Sequence, residues 1–171
     1  MAGNKEAIMS GYGRFLVVAV VGLVMVSAVA QAGPVELLMK LEGTWEVDVA
    51  GGKKAACVGK KIAGGKGIYT VFTQEMEKDT YTAHAIWTVD PRTKKVYVFE
   101  LNSYGDIGEH VGTFLKDGSL QLVRRQRTGK KVVVQKTNMA WKSGEEIVSR
   151  IDEKVKGKWE KFTFTFKKAG D

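Results

Sequence analysis

From Gly43 to Lys168 hydrophobic and polar positions alternate with a period of two, in short runs separated by turn-forming residues. Gly43-Thr-Trp-Glu-Val-Asp-Val49 sets the pattern. Trp45, Val47 and Val49 share one face and Glu46 and Asp48 the other, as a half-buried strand requires. The same alternation predicts further strands over residues 55–62, 68–77, 80–90, 95–102, 109–115, 120–127, 132–142, 145–155 and 158–168. Between them lie turn sequences such as Ala-Gly-Gly-Lys-Gly at 63–67, Asp-Pro-Arg-Thr at 90–93 and Lys-Asp-Gly-Ser at 116–119, whose residue types favour tight reversals. Ahead of the sheet, Pro34 to Leu41 has helical spacing. Val35, Leu38 and Leu41 fall on one face, Pro34 suits a first turn and Gly43 a stop.

Connections this short make consecutive strands antiparallel neighbours. About ten such strands with no second helical layer would leave two long open edges unless the sheet curled shut. The predicted fold class is therefore all-β: a single antiparallel up-and-down barrel of about ten strands, with one short N-terminal helix. Phe162, Phe164 and Phe166 alternate with Lys161, Thr163, Thr165 and Lys167, which marks one face of the last strand as buried.

The stretch Phe15 to Ala32 breaks the period. Its apolar run follows Lys5 and Arg14 and ends in the small residues Ala28-Val29-Ala30 and Ala30-Gln31-Ala32, the layout of an export signal with its cleavage region. The expectation is a signal peptide over residues 1–32 and a barrel domain over 33–171, exported to the periplasm or the extracellular space. The uninterrupted run from Phe15 to Ala30 is shorter than the roughly 20 residues that span a bilayer, so no transmembrane anchor is expected after cleavage. The formal charge of +8 falls by one unit when Lys5, Glu6 and Arg14 leave with the signal. A basic exported domain points to anionic envelope surfaces rather than to nucleic acid. Cys57 is the single cysteine, so an intramolecular disulfide is excluded.

A short helix leading into Leu41-Glu42-Gly43-Thr44-Trp45 resembles the Gly-x-Trp opening of lipocalins and related calycins. Gly64-Gly65 and Asp90-Pro91-Arg92-Thr93-Lys94-Lys95-Val96-Tyr97 extend the resemblance to small bacterial exported proteins of unassigned function with a lipocalin-like barrel. The resemblance implies fold rather than activity, with Trp45 plugging one end of the barrel. It also implies a basic residue packed over that ring, for which the final strand offers Lys161 or Lys167.

Chemistry is sparse. His84 and His110, with Glu100, Asp106 and Glu109 nearby in sequence, are weak metal or acid-base candidates without any metal-ligand spacing. Neither a Gly-x-Ser-x-Gly elbow nor a phosphate-binding Gly-x-x-x-x-Gly-Lys-Ser/Thr loop occurs, and no cofactor is expected. The run Arg124-Arg125-Gln126-Arg127-Thr128-Gly129-Lys130-Lys131 gathers cations on one hairpin, with strand alternation separating Arg124 from Arg125 and Arg127.

A closed barrel of this strand number is wide enough to hold a small molecule. The leading expectation is thus an exported, non-catalytic barrel that binds a small, largely apolar ligand or acts as an envelope accessory. Its candidate lining is Trp45, Phe72, Trp87, Phe99, Phe114, Phe162 and Phe164. One alternative is an enzyme with a His84-centred site inside the barrel. Another is a module that binds anionic surfaces through Arg125, Arg127, Lys130 and Lys131.

Overall fold

Alternation becomes a cylinder here because the first and last strands meet. In the computed structural model, which describes residues 32–128, 131–155 and 157–170, a helix α1 (Pro34–Met39) is followed by β1 (Gly43–Val49), β2 (Lys53–Ile62), β3 (Gly67–Glu75), β4 (Thr80–Val89) and β5 (Val96–Asn102). The chain continues through β6 (Ile107–Phe114), β7 (Leu120–Thr128), β8 (Lys131–Trp141), β9 (Glu146–Val155) and β10 (Lys158–Lys168). Each strand pairs antiparallel with the next, and β1 closes on β10 from Trp45 opposite Lys168 to Val49 opposite Phe164. The result is an all-β, closed, ten-stranded up-and-down barrel with one short helix. Closure pairs the backbone groups that an open sheet would leave at its edges.

Turn chemistry fixes the register locally. Gly51 and Gly52, at φ of 86° and 76°, supply the left-handed backbone of the β1–β2 hairpin at no steric cost. In the β4–β5 turn the Asp90 carboxylate accepts the Arg92 N–H at 2.8 Å and the Thr93 hydroxyl at 2.8 Å. That lets Lys94 take a φ of 59°. The strands start within two residues of the positions that alternation predicts. β2 begins two residues early, at Lys53, and β6 at Ile107, because both continue regular pairing into their turns.

Helix α1 packs against β3 and β4 and closes one end. Leu38 and Leu41 are buried there, whereas Val35 of the predicted helical face is exposed. The helix is too short to bury a full stripe and turns that residue outward. Below Leu38 lies the main core: Trp45, Val47, Ile68, Val96, Leu120 and Ile147. Trp45 is 1% exposed, and its indole N–H donates to the Leu41 carbonyl at 3.1 Å. Gly59 sits under the same carbonyl, where a Cβ would come within 2.0 Å of the oxygen. The basic residue beside Trp45 is Lys168, its cross-strand partner, and not Lys161 or Lys167. Lys167 points to the other face, where it pairs with Asp48 at 3.0 Å.

Residues 1–31 of the expected signal peptide at 1–32, Lys130 of the basic hairpin, and the side chains of Arg125, Arg127 and Lys131 lie outside the described residues. Among the described residues no helix is long and apolar enough to cross a membrane.

Candidate functional site

Above the plugged end, the inward side chains do not meet. They line a partly open cavity of about 570 Å³ in the lumen of the barrel. Its wall follows from the pairing register. Phe72 lies opposite Cys57 and Ala83, Glu100 opposite Ala85 and Gly108, and Arg124 opposite His110 and Gln135. Two contiguous arcs result. The arc formed by β10, β2, β3 and β4 presents Phe162, Phe164 and Phe166, then Cys57, Phe72, Ala83, Ala85 and Trp87. Strands β5 to β9 present Glu100, His110, Arg124, Gln135, Thr137, Ser149 and Glu153, interspersed with Val98, Leu122, Met139 and Ile151. The aromatic rings thus gather on one side of the lumen and most of its polar groups on the other.

On the aromatic side the rings hold each other. Phe72 meets Phe164 edge to face, with centroids 6.2 Å apart, a favourable arrangement of ring quadrupoles. The Trp87 indole N–H donates to the Thr70 hydroxyl at 2.8 Å, so its one polar atom is satisfied by the wall itself. Burial pushes the Cys57 thiol up to about 12, which makes it an inert apolar residue at neutral pH.

On the polar side three ionisable residues from three strands, Glu100, His110 and Arg124, meet in one cluster. Glu100 Oε1 lies 3.2 Å from Arg124 Nη2, and Glu100 Oε2 lies 3.5 Å from His110 Nε2. Burial alone would raise the Glu100 carboxyl. The His110 hydrogen bond and the Arg124 charge outweigh it and hold the group below its ordinary value, so Glu100 is an anion at neutral pH. The nearby Tyr81 phenol is pushed up by burial and then by the Glu100 charge. Gly108 makes this cluster possible, since a Cβ there would fall 2.3 Å from Arg124 Nε.

The candidate lining residues occupy three different places. Phe72, Trp87, Phe162 and Phe164 line the cavity. Trp45 belongs to the plug, and Phe114 packs on Trp141 toward the same end, with ring centroids 5.6 Å apart. Phe99 stands on the outer face, 49% exposed. There it borders a second hollow of about 300 Å³ with Tyr69, His84, Ile86, Leu101 and Ile107. His84 is outside the barrel as well, with its Nδ1 2.6 Å from the Tyr69 hydroxyl, so no His84-centred site forms in the lumen. The inward histidine is His110; sequence reasoning groups it with Glu100, and Arg124 is the partner it misses. A signal for Arg124 exists, because Leu120, Leu122 and Arg124 share a parity along β7.

Among the described residues no group of three or more His, Cys, Asp or Glu side chains is placed to hold a metal ion. No family model matches the chain, and no curated protein does so. One solved structure similar to it is described as "Structure of EF1p2_mFAP2b bound to DFHBI", at 13% sequence identity and a TM-score of 0.38, covering 80% of this chain and 100% of that one.

Proposed function

We propose that this chain is an exported, non-catalytic carrier that holds a small, largely apolar molecule in the lumen of its barrel. The observation that carries the reading is the cavity of about 570 Å³, within the roughly 300–1,000 Å³ range of ligand pockets and predominantly apolar along one arc. Phe72, Trp87, Phe162 and Phe164 supply the contact surface, while Trp45 and Phe114 keep the far end shut. The export part rests on the sequence pattern of residues 15–32. It predicts an N-terminus at Gly33 when the mass of the secreted protein is measured.

The test is titration with N-phenyl-1-naphthylamine, an uncharged dye that brightens in apolar surroundings. Binding to the wild-type barrel is expected to weaken at least tenfold in Ala83→Phe and Ala85→Phe, which fill the lumen from β4, with the far-ultraviolet circular dichroism unchanged. Phe99→Ala, on the outer hollow, should leave it intact. Absence of dye binding, or loss in Phe99→Ala with retention in the filled variants, would overturn the reading.

A further inference from the structure

The polar arc of the lumen carries buried nitrogens that the wall leaves without partners. Arg124 Nε and His110 Nδ1 are buried with no partner in the protein, whereas Arg124 Nη2 and His110 Nε2 face Glu100 at 3.2 and 3.5 Å. His110 as a whole is 7% exposed and lines the cavity together with Arg124. Glu100 is already engaged by both neighbours through ion-pair contacts. The Arg124 Nε–H therefore lacks an acceptor, and a buried donor without one is costly to leave unmade, while a neutral His110 that donates to Glu100 through Nε2 keeps Nδ1 as an acceptor.

Charge selects the kind of acceptor. The Glu100 carboxylate and the Arg124 guanidinium cancel, so an incoming group need not bring a charge of its own. A ligand carboxylate would set a second anion beside Glu100 in a site shielded from solvent, where like charges repel strongly. An oxygen with two lone pairs and no proton matches this need. It can accept from the free guanidinium N–H.

We infer that the ligand carries an uncharged carbonyl oxygen bound by Arg124 beside His110, with its apolar body against Phe72, Trp87 and Phe164 on the opposite arc. This deepens the lumen-binding reading and rests on it. Ala85, the cross-strand partner of Glu100, is small and leaves room beside the cluster. The Trp87 N–H is taken by Thr70, so that residue offers its ring rather than a competing donor. Gly108 admits the guanidinium to this position.

Three probes of one size separate the possibilities: 2-acetylnaphthalene, the hydrocarbon 2-isopropenylnaphthalene and 2-naphthoate, each competed against N-phenyl-1-naphthylamine. Two variants remove the donor. Glu100→Gln with Arg124→Met leaves no unpaired buried charge, and Gly108→Ala pushes the guanidinium aside. In both, the ketone is expected to lose about tenfold in affinity relative to the hydrocarbon, the scale of one charge-assisted hydrogen bond. In the wild-type protein the carbonyl stretch of bound 2-acetylnaphthalene should fall below its value in hexane, and it should return toward that value in the variants.

Equal losses of ketone and hydrocarbon, or a hexane-like carbonyl stretch in the wild type, would overturn the inference while dye and hydrocarbon binding preserve the carrier reading. Tighter binding of 2-naphthoate than of the ketone would overturn the uncharged acceptor. If neither the dye nor the hydrocarbon binds, the carrier reading itself has failed.

Discussion

The two ends of the lumen are built on opposite terms. At the plugged end the residues are apolar and packed, with Leu38, Val47, Ile68, Val96, Leu120 and Ile147 at most 1% exposed, and the Trp45 N–H finds its acceptor within the chain. Around the cavity, side chains stand apart, and a largely buried Glu–Arg–His cluster leaves the Arg124 Nε without a partner. Trp141, whose indole N–H also lacks a partner, is the exception on the packed side. Stability and recognition have thus been assigned to different heights of one barrel, and substitutions at the two should behave differently.

The largest effect is expected from Trp45→Ala. Removing a fully buried ring from a packed floor costs about 3–5 kcal/mol, enough to lower the melting temperature by roughly 10 to 20 °C in a calorimetric scan. Next comes Gly59→Ala. The added methyl would meet the Leu41 carbonyl oxygen, carbon and the Glu42 backbone at 2.0, 2.9 and 3.4 Å, and backbone cannot swing aside as a side-chain tip can. A loss of about 1–3 kcal/mol follows, read as a shift in the urea midpoint. A Gly59→Ala protein as stable as the wild type would mean that the helix and plug do not anchor this end.

The cavity should respond in the other direction. Replacing the ion pair with hydrocarbon in Glu100→Met with Arg124→Met is expected to leave stability unchanged or to raise it, by about 1–4 kcal/mol at most. The desolvated charges cost nearly as much as their attraction returns. Acid sharpens the contrast. The Glu100 carboxyl is held below its ordinary value of about 4.3, so its contribution is present above that pH and is lost as pH falls through the folded value. The wild type should therefore lose stability below about pH 4 that the double variant does not lose, and their melting temperatures should separate further in acid.

How far the sequence reveals each end follows from what alternation can encode. Trp45 and Val47 against Glu46 and Asp48, or the phenylalanines at 162, 164 and 166 against Lys161 and Lys167, declare their faces outright. In β5 that logic fails, because Val96 and Val98 on one face compete with Tyr97, Phe99 and Leu101 on the other. The structure turns Val96, Val98 and Glu100 inward and leaves Phe99 outside. The polar cluster is harder still to read, because Glu100, His110 and Arg124 come from three strands and meet through register alone. In the linear chain Arg124 opens a basic run, and only its parity with Leu120 and Leu122 separates it from that surface.

The mildest probe is Cys57, which lies between the two ends. It pairs across the sheet with Trp45 on one side and Phe72 on the other, so its thiol belongs to the floor and to the cavity wall together. With the thiol pushed up to about 12 by burial, the thiolate that reacts with 5,5′-dithiobis(2-nitrobenzoate) is scarce in the native protein at pH 8, and labelling should be slow until urea unfolds the chain. The unfolded thiol ionises near pH 8.5. This group's contribution to stability is therefore complete below that pH and is lost as pH rises toward the folded value. Trp45→Ala, which opens the floor, should speed native labelling severalfold, whereas the Glu100 and Arg124 replacements across the lumen should leave the rate near that of the wild type. Equal acceleration by both would show that the plug and the cavity wall open as one unit, and the division between a stabilising end and a binding end would fail.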